Sequence, residues 1–222
     1  MSSEIGLETL DPKRVKESLR RLGAARSKTF GTNGHRFFLN PPLAEADVLG
    51  FEQRHHIRLP VDYRGFLTAI GNGGAGPFYG VFPLGLMDGL GVELKGWSEG
   101  DGFIGTLSKP FPLTDFWNDL RGKPSIELAD TDDTEYWRQF DQFEEGYFAS
   151  ANVDGAVPIC HMGCALRIWL VLTGEQAGKL WRDGRADWTG LSPLQSATGS
   201  PATFSTWYSE WLEGALQDAG LN

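Results

Sequence analysis

The chain has 222 residues, 41% hydrophobic and 22% charged, a balance that suits a globular protein with one sizeable core and no need of covalent staples. Twenty-nine acidic against 20 basic side chains give a formal net charge of −9, which disfavours direct nucleic-acid binding, because that affinity rests on Lys and Arg neutralising phosphates. No run of 18 apolar residues is present, which excludes a spanning helix, and Met1–Leu10 lacks the basic-then-apolar pattern of a secretory signal. The expected compartment is therefore the cytoplasm, with Cys160 and Cys164 as free thiols.

Asp11-Pro12 opens the first predicted helix as N-cap and first helical residue, and Val15, Leu19 and Leu22 keep one face apolar until Gly23. A polar stretch over 24–34 follows. Pro41-Pro42 introduces a second helix, with Ala44, Val48, Phe51 and His55 at helical spacing, and Pro60 breaks it. A short third helix carries Tyr63, Phe66, Leu67 and Ile70 at i, i+3, i+4 and i+7 and ends at Gly71, read as its C-cap. From 71 to 113, glycines and prolines interrupt short apolar pieces such as Phe78–Val81, which predicts turns and short strands. Residues 128–147 read as one amphipathic helix with an aromatic stripe of Tyr136, Phe140, Phe143 and Tyr147.

Residues 156–160 and 165–173 are nearly continuous apolar runs bounded by Gly155, Gly163 and Gly174, the pattern of strands covered on both faces. Residues 179–188 predict a hairpin around Asp183-Gly184. A polar loop, 189–201, leads to a last helix on which Phe204, Trp207, Tyr208, Trp211, Leu212 and Ala215 share a face, ended near Gly220. Neither an internal repeat nor a long linker divides the chain. Helices first, strands in the middle and a closing helix imply a single α+β domain.

Three motifs invite chemistry. Gly71-Asn72-Gly73-Gly74-Ala75-Gly76 matches G-x-G-x-x-G by letter, but a dinucleotide site needs a strand before the glycines and a helix after them. Here a helix precedes and Pro77 follows, so the segment reads as a turn. Cys160-His161-Met162-Gly163-Cys164 places two thiols and an imidazole together, yet a closed zinc site needs four ligands and a catalytic thiol needs a positioned base. The cysteines read as small apolar fillers around a strand-to-strand turn at Gly163. The segment 174–179 lacks the spacing of a nucleotide-binding loop and reads as a turn. Trp169, Trp207 and Trp211 are expected in the core, and His55-His56 is expected to close the second helix. No cofactor, metal or catalytic residue is expected.

The charge is concentrated. Residues 127–145 hold eight acids against the single base Arg138, a net −7 in 19 residues, which leaves −2 for the other 203. One reading is a solvated helix face with acids complementing the helix dipole. The other is a docking surface for a positively charged partner, formed by Asp130, Asp132, Asp133, Glu135, Asp141, Glu144 and Glu145. A calcium loop is disfavoured, since no Gly at position 6 and no Glu at position 12 follows.

Phe51-Glu52 through Ile57, Leu59-Pro60, Asp62-Tyr63, Phe66-Leu67 and 72–77, then Gly155, Pro158-Ile159, Gly163-Cys164, 170–174, Gly178, Trp181 and the Trp-rich final helix, occur in an order that resembles the SUKH superfamily. The similarity is to the branch related to the fungal cell-wall-assembly regulator. It spans about residues 40–216, with 1–39 as an N-terminal helix and loop. The resemblance implies a curved, mainly antiparallel sheet flanked by N-terminal helices and a C-terminal helix, with no catalytic residues. Bacterial members are mostly immunity proteins that bind and block toxin domains of polymorphic or contact-dependent systems, many of them nucleases or deaminases. Fungal members act as regulatory interaction proteins. The resemblance therefore implies toxin neutralisation by stoichiometric binding, with a regulatory or scaffolding role as the alternative and an enzyme using Cys160, His161 or Cys164 as a third reading.

Overall fold

A computed structural model of the chain describes residues 10–88, 93–100 and 102–221. The helices are α1 (Pro12–Ala24), α2 (Thr32–His35), α3 (Glu45–His55), α4 (Val61–Gly65), α5 (Ile126–Thr131), α6 (Asp133–Tyr147) and α7 (Phe204–Asp218). The strands are β1 (Leu86–Asp88), β2 (Leu94–Gly96), β3 (Ala156–Gly163), β4 (Leu166–Val171), β5 (Leu180–Asp183) and β6 (Leu191–Pro193). The fold is α+β, with β1 and β2 as a small antiparallel pair and β3-β4-β5-β6 as an antiparallel sheet in sequence order. None of the described helices is long and apolar enough to cross a membrane.

Asp11 caps α1 through its carboxylate, which accepts from the Lys13 amide at 2.9 Å, and Pro12 follows as the first helical residue. The expected stripe of Val15, Leu19 and Leu22 is buried. Beyond α4 the helix widens into a π turn over Phe66–Ile70, closed by the Gly71 amide on the Phe66 carbonyl at 2.9 Å. That turn carries Phe66, Leu67 and Ile70 inward together. Gly71 itself is extended rather than left-handed, so it does not form the expected glycine cap. The backbone reversals that need glycine come two residues later: Gly73 (φ +76°) and Gly74 (φ +99°) have no room for a Cβ against Val81 and Phe38 backbone.

The four-stranded sheet is widened by single-residue pairings on both sides. Val81 bridges Cys160, Gly74 bridges Val81 and Leu39 bridges Gly74, while Trp117 bridges Leu191 at the far edge. Irregular register in β3, between Pro158 and Cys160 and between His161 and Gly163, bends the strand locally. β3 and β4 are buried along most of their length, as their continuous apolar runs predict. α7 packs against α1 and α4, its Phe204 ring lying 4.9 Å from both Tyr63 and Phe66. One apolar core joins α1, α3, α4, the sheet and α7.

Two predicted elements take a different form. The helix expected over 128–147 is two helices, broken at Asp132 (φ −150°, ψ 84°), whose carboxylate accepts from the Glu135 amide at 3.0 Å and so caps α6. The tight hairpin expected at Asp183-Gly184 is a wider connection. Gly184 has φ −107°, a 3₁₀ turn spans Arg185–Asp187, and the left-handed residues are Trp188 and Gly190 before β6 begins.

Candidate functional site

α5 and α6 form an acidic arm outside the main core. Its attachment is aromatic: Phe143 and Tyr147 stack at 5.3 Å, Tyr147 stacks on Trp117 at 5.3 Å, and Trp188 packs against Phe140, Phe143 and Tyr147 at 5.4–5.8 Å. The Lys123 ammonium lies over the Trp188 ring, 3.9 Å from its centre. Asn118 fixes the joint, accepting from the Tyr147 hydroxyl at 2.6 Å and donating to the Trp188 carbonyl at 2.9 Å. The predicted stripe is therefore the arm's clasp, and its acids lie on the faces turned away.

Asp130, Asp132, Asp133, Asp141 and Glu145 are exposed and Glu144 is half-buried. Among the described residues, Asp130, Asp133, Asp141, Glu144 and Glu145 make no ion pair. Asp132 is engaged as the cap of α6. Glu135 differs from the rest: Arg138 grips both its oxygens at 2.6 and 2.7 Å and Gln139 donates at 2.8 Å, holding its carboxyl down at about 2. The arm also exposes apolar surface, with Trp137 on α6 52% exposed and Ile126 on α5 66% exposed. Free carboxylates around solvent-facing aromatic and aliphatic side chains form a surface that attracts cations at a distance and offers apolar area on contact.

The Cys160–Cys164 motif separates into two environments. Cys160 is fully buried, its Sγ 3.3 Å from the Pro77 carbonyl oxygen, and burial pushes its thiol pKa far up, which removes it as a thiolate nucleophile. It is an apolar filler as expected. Cys164 is not: it is exposed, in left-handed backbone at φ +50° next to Ala165 at φ +61°. His161 stacks on Tyr79 at 5.5 Å with Nε2 3.9 Å from the Asp88 carboxylate. Among the described residues no three His, Cys, Asp or Glu side chains are grouped to hold a metal.

Beside His161 lies a cleft that sequence reasoning missed. Two bidentate ion pairs line it: Arg167 on Asp88 at 3.0 and 2.8 Å, and Arg185 on Asp183 at 2.9 and 2.7 Å. Asp183 also accepts from the Trp169 indole at 3.1 Å and the Arg185 amide at 3.0 Å. Arg185 lies over Phe148 at 5.7 Å, and its Nη1 is 3.5 Å from the Tyr147 carbonyl, tying this network to the arm. The available signal was the charge of Arg167 inside an otherwise apolar run.

No protein-family model, curated protein or solved structure matches this chain.

Proposed function

We propose that this protein is a non-catalytic cytoplasmic immunity protein that neutralises the toxin domain of a polymorphic or contact-dependent system by stoichiometric binding. The observation that carries the reading is the acidic arm, on which unpaired carboxylates surround exposed Trp137 and Ile126. A nuclease must display Lys and Arg to hold phosphates, so it presents the surface such an arm complements. Long-range attraction speeds encounter, and the aromatic side chain supplies contact area that slows dissociation. The resemblance to SUKH-type immunity proteins supports the same reading.

The test is co-expression with the toxin domain encoded beside this gene. Growth rescue by the parent chain is expected, together with a complex in which reversing the unpaired Asp130, Asp133 and Asp141 to lysine lowers the association rate about tenfold or more at low salt and flattens its salt dependence. Failure of the parent chain to rescue refutes the immunity role; rescue with unchanged kinetics in the reversed variant removes the arm from the mechanism.

A further inference from the structure

The antiparallel β1–β2 pair lies between two clefts. Successive residues of β2 point to opposite sides, so Leu94 lines one cleft, of about 810 Å³, and Lys95 lines the other, of about 580 Å³. Asp88, His161 and Cys164 border both. The Lys95 cleft has Trp169 and the Asp183–Arg185 pair among its lining, with Met87, Phe103 and Phe148 as apolar surface. Phe103 is 47% exposed, with the Lys95 ammonium 5.7 Å and the Arg167 guanidinium 6.0 Å from its ring centre.

We propose that the Lys95 cleft binds a small organic monoanion with a flat apolar body, an aryl carboxylate in chemical class. Among the described residues that line it, Lys95, Arg167 and Arg185 oppose Asp88 and Asp183, a surplus of one positive charge in a chain of net −9. The two guanidiniums are already engaged by their own carboxylates. Lys95 has no carboxylate within ion-pair distance among the described residues. Among its described residues the cleft therefore offers one cation without a carboxylate partner, beside aromatic and thioether surface, the combination of apolar walls and few polar groups that fixes a small ligand. A dianion such as a phosphate monoester would meet one available cation and two nearby carboxylates, so a single negative charge fits better. This cleft adjoins the arm's joint through Phe148 and Arg185 but contains none of the arm's acids, and it does not depend on the immunity reading.

The chain carries its own reporter. Cys164 is exposed at the mouth of the cleft, whereas Cys160 is buried with a raised pKa, so neutral iodoacetamide labels the folded protein at Cys164. The probes are 2-naphthoate and its cationic counterpart 2-naphthylmethylammonium, with alkylation followed by mass spectrometry and affinity by calorimetry. A ligand of this size reaches a dissociation constant on the order of 0.1–1 mM. The expected result is saturable naphthoate binding that slows Cys164 alkylation at least threefold at saturation, weakened about tenfold by either Lys95→Glu or Phe103→Ala, both exposed positions. Trp137→Ala on the arm leaves it unchanged. Because the whole chain is negative, binding at random would favour the cation. The proposal is overturned if the cation binds as tightly as the anion, if naphthoate binds without protecting Cys164 or without responding to Lys95→Glu, or if no binding is seen to 5 mM, roughly five times the weakest affinity expected.

Discussion

Replacing Asp183 by asparagine removes one negative charge with almost no change of shape. Asp183 is 5% exposed and its carboxylate accepts four hydrogen bonds, from the Trp169 indole, the Arg185 amide and two nitrogens of the guanidinium of Arg185, a residue also 5% exposed. Asparagine offers one acceptor oxygen and turns an N–H group toward a donor, leaving the guanidinium buried without its counter-charge. Losing one partner of a buried pair costs about 3–5 kcal/mol. At a urea m-value of roughly 2–3 kcal/mol/M, that lowers the unfolding midpoint by about 1–2 M. Equilibrium urea unfolding, followed by tryptophan fluorescence and far-UV circular dichroism, reads it directly. The double variant Asp183→Leu with Arg185→Met removes both charges and should recover most of the loss. It should remain about 1–3 kcal/mol below the parent, because the Trp169 indole and the residue-185 amide lose their acceptor. A single-variant cost under about 1 kcal/mol, or a double variant as unstable as the summed single variants, would refute the reasoning.

Three further outcomes follow from the geometry. Burial holds the His35 imidazole at about 4, below its ordinary 6.5, so the folded state binds fewer protons than the unfolded one between those values. Stability is full above pH 6.5 and falls toward pH 4 by up to about 3 kcal/mol, and urea midpoints for His35→Gln should show a correspondingly shallower loss than the parent across that window. Asp132→Ala removes the α6 cap and should cost about 1 kcal/mol, read as several-fold faster hydrogen exchange at the Glu135 amide with the β4 amides unchanged. Gly190→Ala places a methyl against the Trp117 carbonyl at φ +73° and disrupts the paired hydrogen bonds between Trp117 and Leu191, at 2.9 and 2.8 Å. A loss of about 3 kcal/mol, or roughly 6–10 °C in melting temperature, is expected, and an unchanged melting curve would show that the edge pairing contributes nothing.

The helices were legible because their information is local. Val15, Leu19 and Leu22 share a face whatever the rest of the chain does, and Asp11-Pro12 marks the start of α1 by side-chain chemistry alone. The break at Asp132 was also legible, since Asp132-Asp133-Thr134-Glu135 has the spacing of an N-cap followed by an acid three residues on, although the aromatic stripe beyond it has the period of one continuous helix. The β5–β6 connection was not. Asp183 looks like a turn residue, but its carboxylate is bound to Arg185 and Trp169, so the chain turns later, through a left-handed tryptophan that no propensity favours. The acidic arm was found because charge clusters along the sequence. The cleft was not, because Asp88 and Arg167 lie 79 positions apart and only the folded sheet brings them together.

The last helix is completed by residues made long before it. The Asp62 carboxylate accepts from the Ser205 amide at 3.0 Å, Arg14 meets Glu213 at 3.0 Å, Arg21 donates to the Leu221 carbonyl at 2.7 Å and the Tyr208 hydroxyl donates to the Ala75 carbonyl at 2.9 Å. During synthesis the earlier helices must wait, their aromatic faces uncovered, until α7 emerges from the ribosome. A nick at the exposed turn around Gly122 would leave neither fragment with a closed seam, so each would regain order only by recombining with the other.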